Sequence, residues 1–240
     1  MVGGSFEHYK NMLFATKLGN FVTYLGCCFV TFKLFLFKIS NMKKIVILTL
    51  LVAFNFGFSQ KKFDKKETKK FQKTINSEYA DPKTSPLMEK DLKVFKTLDF
   101  YPINGKYFVT AKFVKAKNEK VFEMKTTGTR TPQYIKYGTL FFTIDGVALQ
   151  LNVYRNIELS KKKEYKDHLF LPFSDLTSGK ESYIGGRYID LKIPKGNTIG
   201  VDFNQAYNPY CAYNHKYSCP LVPLENDLKV EIKAGVKTFH

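Results

Sequence analysis

Two cysteines, an isolated arginine and a group of tyrosines, acids and amides fall together between residues 173 and 226 of this 240-residue chain. Cys211 and Cys219 enclose seven residues, a spacing that suits a disulfide in an oxidising compartment. Closing that ring would contribute about 2.5 kcal/mol through lost loop entropy. A zinc site that uses both thiolates and His215 is the rival reading. Common zinc ligand pairs sit closer together, and no fourth ligand is evident. Neither a metal nor a cofactor is therefore expected.

Arg187 is one of three arginines among 38 basic residues, the rest being lysine. A planar fork that bonds in pairs has a use that lysine cannot fill. One use is an internal ion pair with Asp175, Asp190, Asp202 or Glu225. The other is a clamp for a ligand anion, with Gly185 and Gly186 allowing close approach and Tyr183 and Tyr188 alongside. If the strand before them extends to Asn204, Asp202 and Asn204 share one face, and Tyr207 and Asn208 follow. These four either orient a small polar ligand or bond locally to cap the strand end. The candidate ligand set is thus Arg187, Tyr188, Tyr183, Asp175, Asp202, Asn204, Tyr207, Asn208 and Glu225.

Catalytic signatures are sparse. Asp175 with Asp202 or Glu225 offers paired carboxylates for acid–base hydrolysis. A Ser-His-Asp triad would have to use His168 or His215, and the sequence marks no partner for either. No Gly-x-Ser-x-Gly elbow, His-Glu-x-x-His, phosphate-binding glycine loop or Cys-x-x-Cys is present.

The elements that must position these residues read as mainly β. Phe71, Ile75 and Tyr79 recur every four residues in a lysine-rich stretch, which predicts an amphipathic helix over 61–79. Asp81-Pro82 ends it, and Ser85-Pro86 opens a short second helix. From Tyr107 the period is two. Strands are expected at 107–114, 120–126, 169–173, 187–193, 198–203 and 228–232. A hairpin at 139–154 turns on Asp145-Gly146, the pair a type I′ turn requires. Short strands after early helices argue for an antiparallel sandwich or partly open barrel with one or two N-terminal helices. Residues 81–240 form one domain in this reading, with 60–80 as its helical lead-in.

The start of the chain reads as export machinery. Met42-Lys43-Lys44, the apolar run to Phe58 and the small residues Gly57 and Ser59 make a signal peptide over 42–59, with Gln60 as the mature N-terminus. Residues 1–41 are an extension that holds Cys27-Cys28 and an apolar stretch at 21–37, near the lower limit for a span. An initiator at Met42 is the simpler account. The net charge of +17 is scattered lysine rather than arginine forks, so a nucleic-acid partner is not expected. Weak attraction to an anionic envelope surface fits better.

Five separated blocks in this order resemble a family known only as domain of unknown function 1684. They are Phe173-Ser174-Asp175-Leu176-Thr177-Ser178-Gly179, Tyr183-Ile184-Gly185-Gly186-Arg187-Tyr188, Asp202-Phe203-Asn204-Gln205-Ala206-Tyr207-Asn208-Pro209, Cys211-Ala212-Tyr213, and Cys219-Pro220-Leu221 with Glu225-Asn226. The likeness spans about residues 80–237. Gln205 stands where arginine is expected and Val236 where glutamate is expected, so an ion pair between those positions is lost here. The family carries no established activity, and the resemblance implies only a single fold and the place of a site. The resulting expectation is an exported, non-catalytic β domain that binds a small polar or anionic ligand or an envelope component. A carboxylate hydrolase of envelope glycans or esters is the first alternative, and a structural or partner-binding module the second.

Overall fold

From Tyr107 onward apolar side chains alternate with polar ones, and the chain answers with strands packed on both faces. The computed structural model describes residues 62–240. The extension, the signal segment and Cys27-Cys28 lie outside the described residues. Helix α1, Lys65–Ala80, opens at Asp64, whose side chain accepts from the Lys66 amide. Its Ile75 and Tyr79 are buried against Leu87, Leu98, Tyr213 and Val236, with Phe71 at the margin. That is the stripe which the spacing predicted. The single turn α2, Glu89–Leu92, follows the Ser85-Pro86 signal.

Seven strands then run antiparallel in one curled half-barrel sheet. They are β1 Phe108–Lys115, β2 Phe122–Glu123, β3 Gln133–Ile144, β4 Val147–Asn156, β5 His168–Phe173, β6 Arg187–Lys192 and β7 Thr198–Asp202. The order is β6-β5-β4-β3-β1-β7, with β2 paired to β3. Of the two forms expected, the partly open barrel is the one observed. Asp145 and Gly146 both take positive φ, 49° and 80°, as a type I′ hairpin between β3 and β4 demands.

One face of the sheet holds the main core: Val109 and Phe113, Leu140 and Phe142, Leu151 and Val153, Leu169 and Leu171, Ile189 and Val201. The other face of β4 to β6 is also covered, by Met124, Tyr134, Tyr154, Phe170 and Tyr188. A bulge in β3 between Lys136 and Gly138 makes this possible. The extra residue reverses the alternation. Tyr134 therefore joins the second face while Leu140, six residues on, joins the main core.

Residues 228–232 are not a strand. Leu228, Val230 and Ile232 alternate as a strand would, and Leu228 and Ile232 are buried. The Leu228 amide donates to Ser174 O and Val230 O accepts from the Leu176 amide, but further on the backbone groups are taken by side chains. Asp175 Oδ1 accepts from the Ile232 amide at 3.1 Å, and Arg187 donates to the carbonyls of Ile232 and Ala234. The segment is pinned across the core rather than added to the sheet. The strand expected at 120–126 shrinks to the two residues of β2. Among the described residues, no helix is long and apolar enough to cross a membrane.

Candidate functional site

On β5 and β6 the second face carries His168 and Phe170 beside Tyr188 and Asp190. His168 pairs in register with Lys192, and Asp190 with Phe170. His168 and Asp190 are thus diagonal neighbours on one face, within reach of long side chains. Asp190 Oδ1 lies 2.7 Å from His168 Nε2, and Asp190 Oδ2 accepts from the Tyr207 hydroxyl at 2.8 Å. A carboxylate that accepts at both oxygens requires Nε2 to carry the hydrogen. Tyr165 stands edge-on to the imidazole at 6.0 Å.

These residues form one wall of a cavity of about 780 Å³. Rings make most of the rest. Phe170 and Tyr188 meet edge to face at 4.7 Å, Tyr188 and Tyr207 at 5.9 Å, and Tyr210 and Tyr217 lie 5.2 Å apart. An antiparallel bridge between Tyr188 and Tyr207 holds the 203–210 segment beside β6. The Tyr188 hydroxyl donates to the Pro220 carbonyl, fixing the opposite rim. Burial, followed by the Asp190 charge, raises the Tyr207 phenol well above its ordinary range, and burial does the same to Tyr188. Both therefore stay neutral donors.

Arg130 and Lys216 line the same cavity and are exposed. Arg130 donates to the Ser218 carbonyl at 3.1 Å, and Lys216 lies over the Tyr217 ring at 5.1 Å. Neither forms an ion pair with a carboxylate among the described residues. Among those residues no group of three or more His, Cys, Asp and Glu is gathered in a way that could hold a metal ion.

Of the nine candidate ligand residues, only Tyr188 and Tyr207 line this cavity. Arg187 is a correction. Its side chain is fully buried, paired with an equally buried Asp175 at 2.6 Å. Its guanidinium also bonds Thr177 Oγ1, Ile232 O and Ala234 O, with the Phe173 ring 5.2 Å away. It clamps the fold, not an anion. Gly186 is needed for this geometry, since its φ of 81° favours glycine and a Cβ there would lie 2.6 Å from the Phe173 carbonyl.

The paired-carboxylate arrangement also fails. Asp175 is consumed by Arg187 and by the amides of Thr177 and Ile232. Asp202 accepts from Thr68, Asn204 and Gln205, and Glu225 accepts from the Tyr154 hydroxyl. Asn204 bonds the backbone of Asn104 in both directions, and Asn208 donates to Lys237 O. Tyr183 turns to Cys211, its hydroxyl 3.8 Å from the sulfur. His168, Asp190, Arg130 and Lys216 were not in the expected set. His168 lacked a visible partner until the register of β5 and β6 was known, and the two cations come from loops.

A curled antiparallel sheet with one filled face and an aromatic cavity on the other defines the described residues as a mainly β fold. The chain belongs to the family described as a protein of unknown function (DUF1684), whose model matches residues 93–237. The solution NMR structure of an uncharacterised protein from Haloarcula marismortui is similar, with 30% identity and a TM-score of 0.58. That match covers 72% of this chain and 94% of the other. No curated protein matches.

Proposed function

We propose that the protein is exported through its 42–59 signal segment and binds a small ring-bearing anion in the aromatic cavity. Its two cysteines, free thiols here, become joined in the oxidising compartment, and its lysine-rich surface adds weak affinity for the envelope. A mature chain beginning at Gln60 is the check on export. One observation carries the ligand reading. Arg130 and Lys216 stand without a carboxylate partner at the edge of a ring-lined cavity of ligand size. Ring faces attract flat or ring ligands, and uncommitted cations attract the charged end. With Asp175, Asp202 and Glu225 tied into the fold, acid–base work by carboxylate pairs has no support.

Isothermal titration with benzenesulfonate, benzenesulfonamide and inorganic sulfate separates the two contributions. The aromatic anion should bind at least about tenfold more tightly than either its neutral isostere or the ring-free anion. Replacing Arg130 and Lys216 together by alanine should weaken it by about 100-fold or more, since each charged hydrogen bond is worth about 1.5–3 kcal/mol. Both side chains are exposed, so the fold should survive. Equal affinity for anion and isostere, or no effect of the double substitution, would contradict the reading.

A further inference from the structure

Cys211 and Cys219 lie side by side. The Cys211 amide donates to Cys219 Sγ at 3.2 Å, and the Tyr183 hydroxyl is 3.8 Å from Cys211 Sγ. Cys219 is held from a different loop: its amide donates to Thr127 Oγ1 at 3.0 Å, and its carbonyl accepts from the Thr127 amide at 2.9 Å. Each residue is only 7% exposed, but Cys219 forms part of the cavity wall. Small molecules therefore reach the pair from the cavity at Cys219.

We propose that Cys211 and Cys219 form a reversible dithiol–disulfide couple that meets the cavity at Cys219, with small disulfides as the substrate class. This goes beyond a permanent cross-link, because the bond is made and unmade by exchange.

The electrostatics agree with the geometry. The neighbouring Cys219 thiol, helped by Thr127 and Tyr183, brings Cys211 down to about 6 in spite of its burial. The same contact, with burial, pushes Cys219 well up. At neutral pH one sulfur is thus a thiolate while its neighbour keeps its proton, the division of labour that exchange requires.

In the first step the Cys211 thiolate attacks one sulfur of R–S–S–R. The S–S bond breaks, one RS⁻ leaves and Cys211 carries the other half as a mixed disulfide. Cys219 then yields its proton to the released thiolate, and its sulfur attacks the Cys211 sulfur to expel the second RS⁻. The two cysteine sulfurs lose two electrons in all, and the external disulfide is reduced to two thiols. Excess thiol reverses the sequence. The loop between the cysteines carries Lys216, Tyr217 and Ser218 into the cavity, so oxidation closes a ring at the foot of that wall. This last consequence alone rests on the ligand reading.

The test uses the full chain and oxidised glutathione, with peptide mapping to separate this pair from Cys27 and Cys28. The wild-type protein should lose two hydrogens at Cys211–Cys219 and retain no glutathione there. Cys219→Ser should accumulate one glutathione on Cys211, whereas Cys211→Ser should take it up at least about tenfold more slowly. Alkylation of Cys211 by iodoacetamide should rise with pH and level off, with its midpoint near 6. Circular dichroism checks that both variants fold. If Cys219→Ser does not, rapid quenching of the wild-type reaction should still show transient glutathione on Cys211. Equal uptake by the two variants, no intramolecular bond in the wild type, or an alkylation midpoint at an ordinary thiol value of about 8.5 would overturn the proposal.

Discussion

Replacing Arg187 by methionine is expected to lower the free energy of unfolding by about 3–5 kcal/mol, the usual effect of removing one partner from a buried ion pair. Three losses combine. Asp175 is left as a buried charge without its counterion, and the carbonyls of Ile232 and Ala234 lose their donor. The 228–236 segment loses its central anchor and is left with its end contacts, the backbone bonds to Ser174, Leu176, Ala206 and Tyr101. Arg187→Lys should recover little, because one ammonium cannot reach Asp175 and two carbonyls in the same plane. Adding Asp175→Leu to Arg187→Met should restore part of the stability, since the unpaired charge disappears. Urea unfolding followed by circular dichroism measures all three. A loss below about 1 kcal/mol for Arg187→Met would mean that the pair is not what holds the segment.

Asn226→Leu should be comparably damaging, for a different reason. Strands β4 and β5 share only the single register pair Tyr154 with Phe170. Beyond it the strands are joined by the buried Asn226 amide. Its Oδ1 accepts from the Asn152 amide at 2.8 Å, and its Nδ2 donates to Asn152 O at 2.8 Å and to Pro172 O at 2.6 Å. Pro172 has no N–H to offer a ladder, and so a side chain completes the seam. Leucine fills similar space but leaves three buried backbone groups unpaired, at about 1–3 kcal/mol each. We expect a loss of about 3–6 kcal/mol and faster amide exchange at Asn152. Asn226→Asp should also be destabilising, because a carboxylate cannot donate to either carbonyl. Wild-type exchange at Asn152 in the leucine variant would contradict this account.

Local chemistry was legible and tertiary choice was not. The Asp145-Gly146 hairpin and helix α1 follow from neighbours in sequence, and both form where expected. Arg187 stood out as an arginine among lysines, and an internal pair with Asp175 was among its readings. Which of four acids it would meet depended on where 228–236 crosses the core. That crossing also explains the one strand that is absent: Leu228, Val230 and Ile232 alternate correctly, but Leu228 and Val230 bond the 174–176 backbone while Asp175 and Arg187 occupy the backbone groups of Ile232. Asp202, Asn204 and Asn208 looked like ligand residues because they are polar and close together. In the fold they bond to Thr68, Asn104 and Lys237, partners 29 to 134 residues away in sequence. The cavity needed the β3 bulge and the β5–β6 register before Tyr134, His168 and Asp190 could be placed on one face. The C-terminal stretch from 173 onward still supplies most of that wall, as its density of tyrosines suggested.

Amide NMR spectra recorded while benzenesulfonate is titrated into the protein test the binding site most directly. Saturable shifts should appear at Arg130, His168, Asp190, Tyr207 and Lys216, and should be absent at Asp175 and Arg187. Shifts confined instead to the separate lysine-rich cavity around Lys65, Tyr101 and Lys106, or no saturable shift at all, would contradict an anion site among the tyrosines.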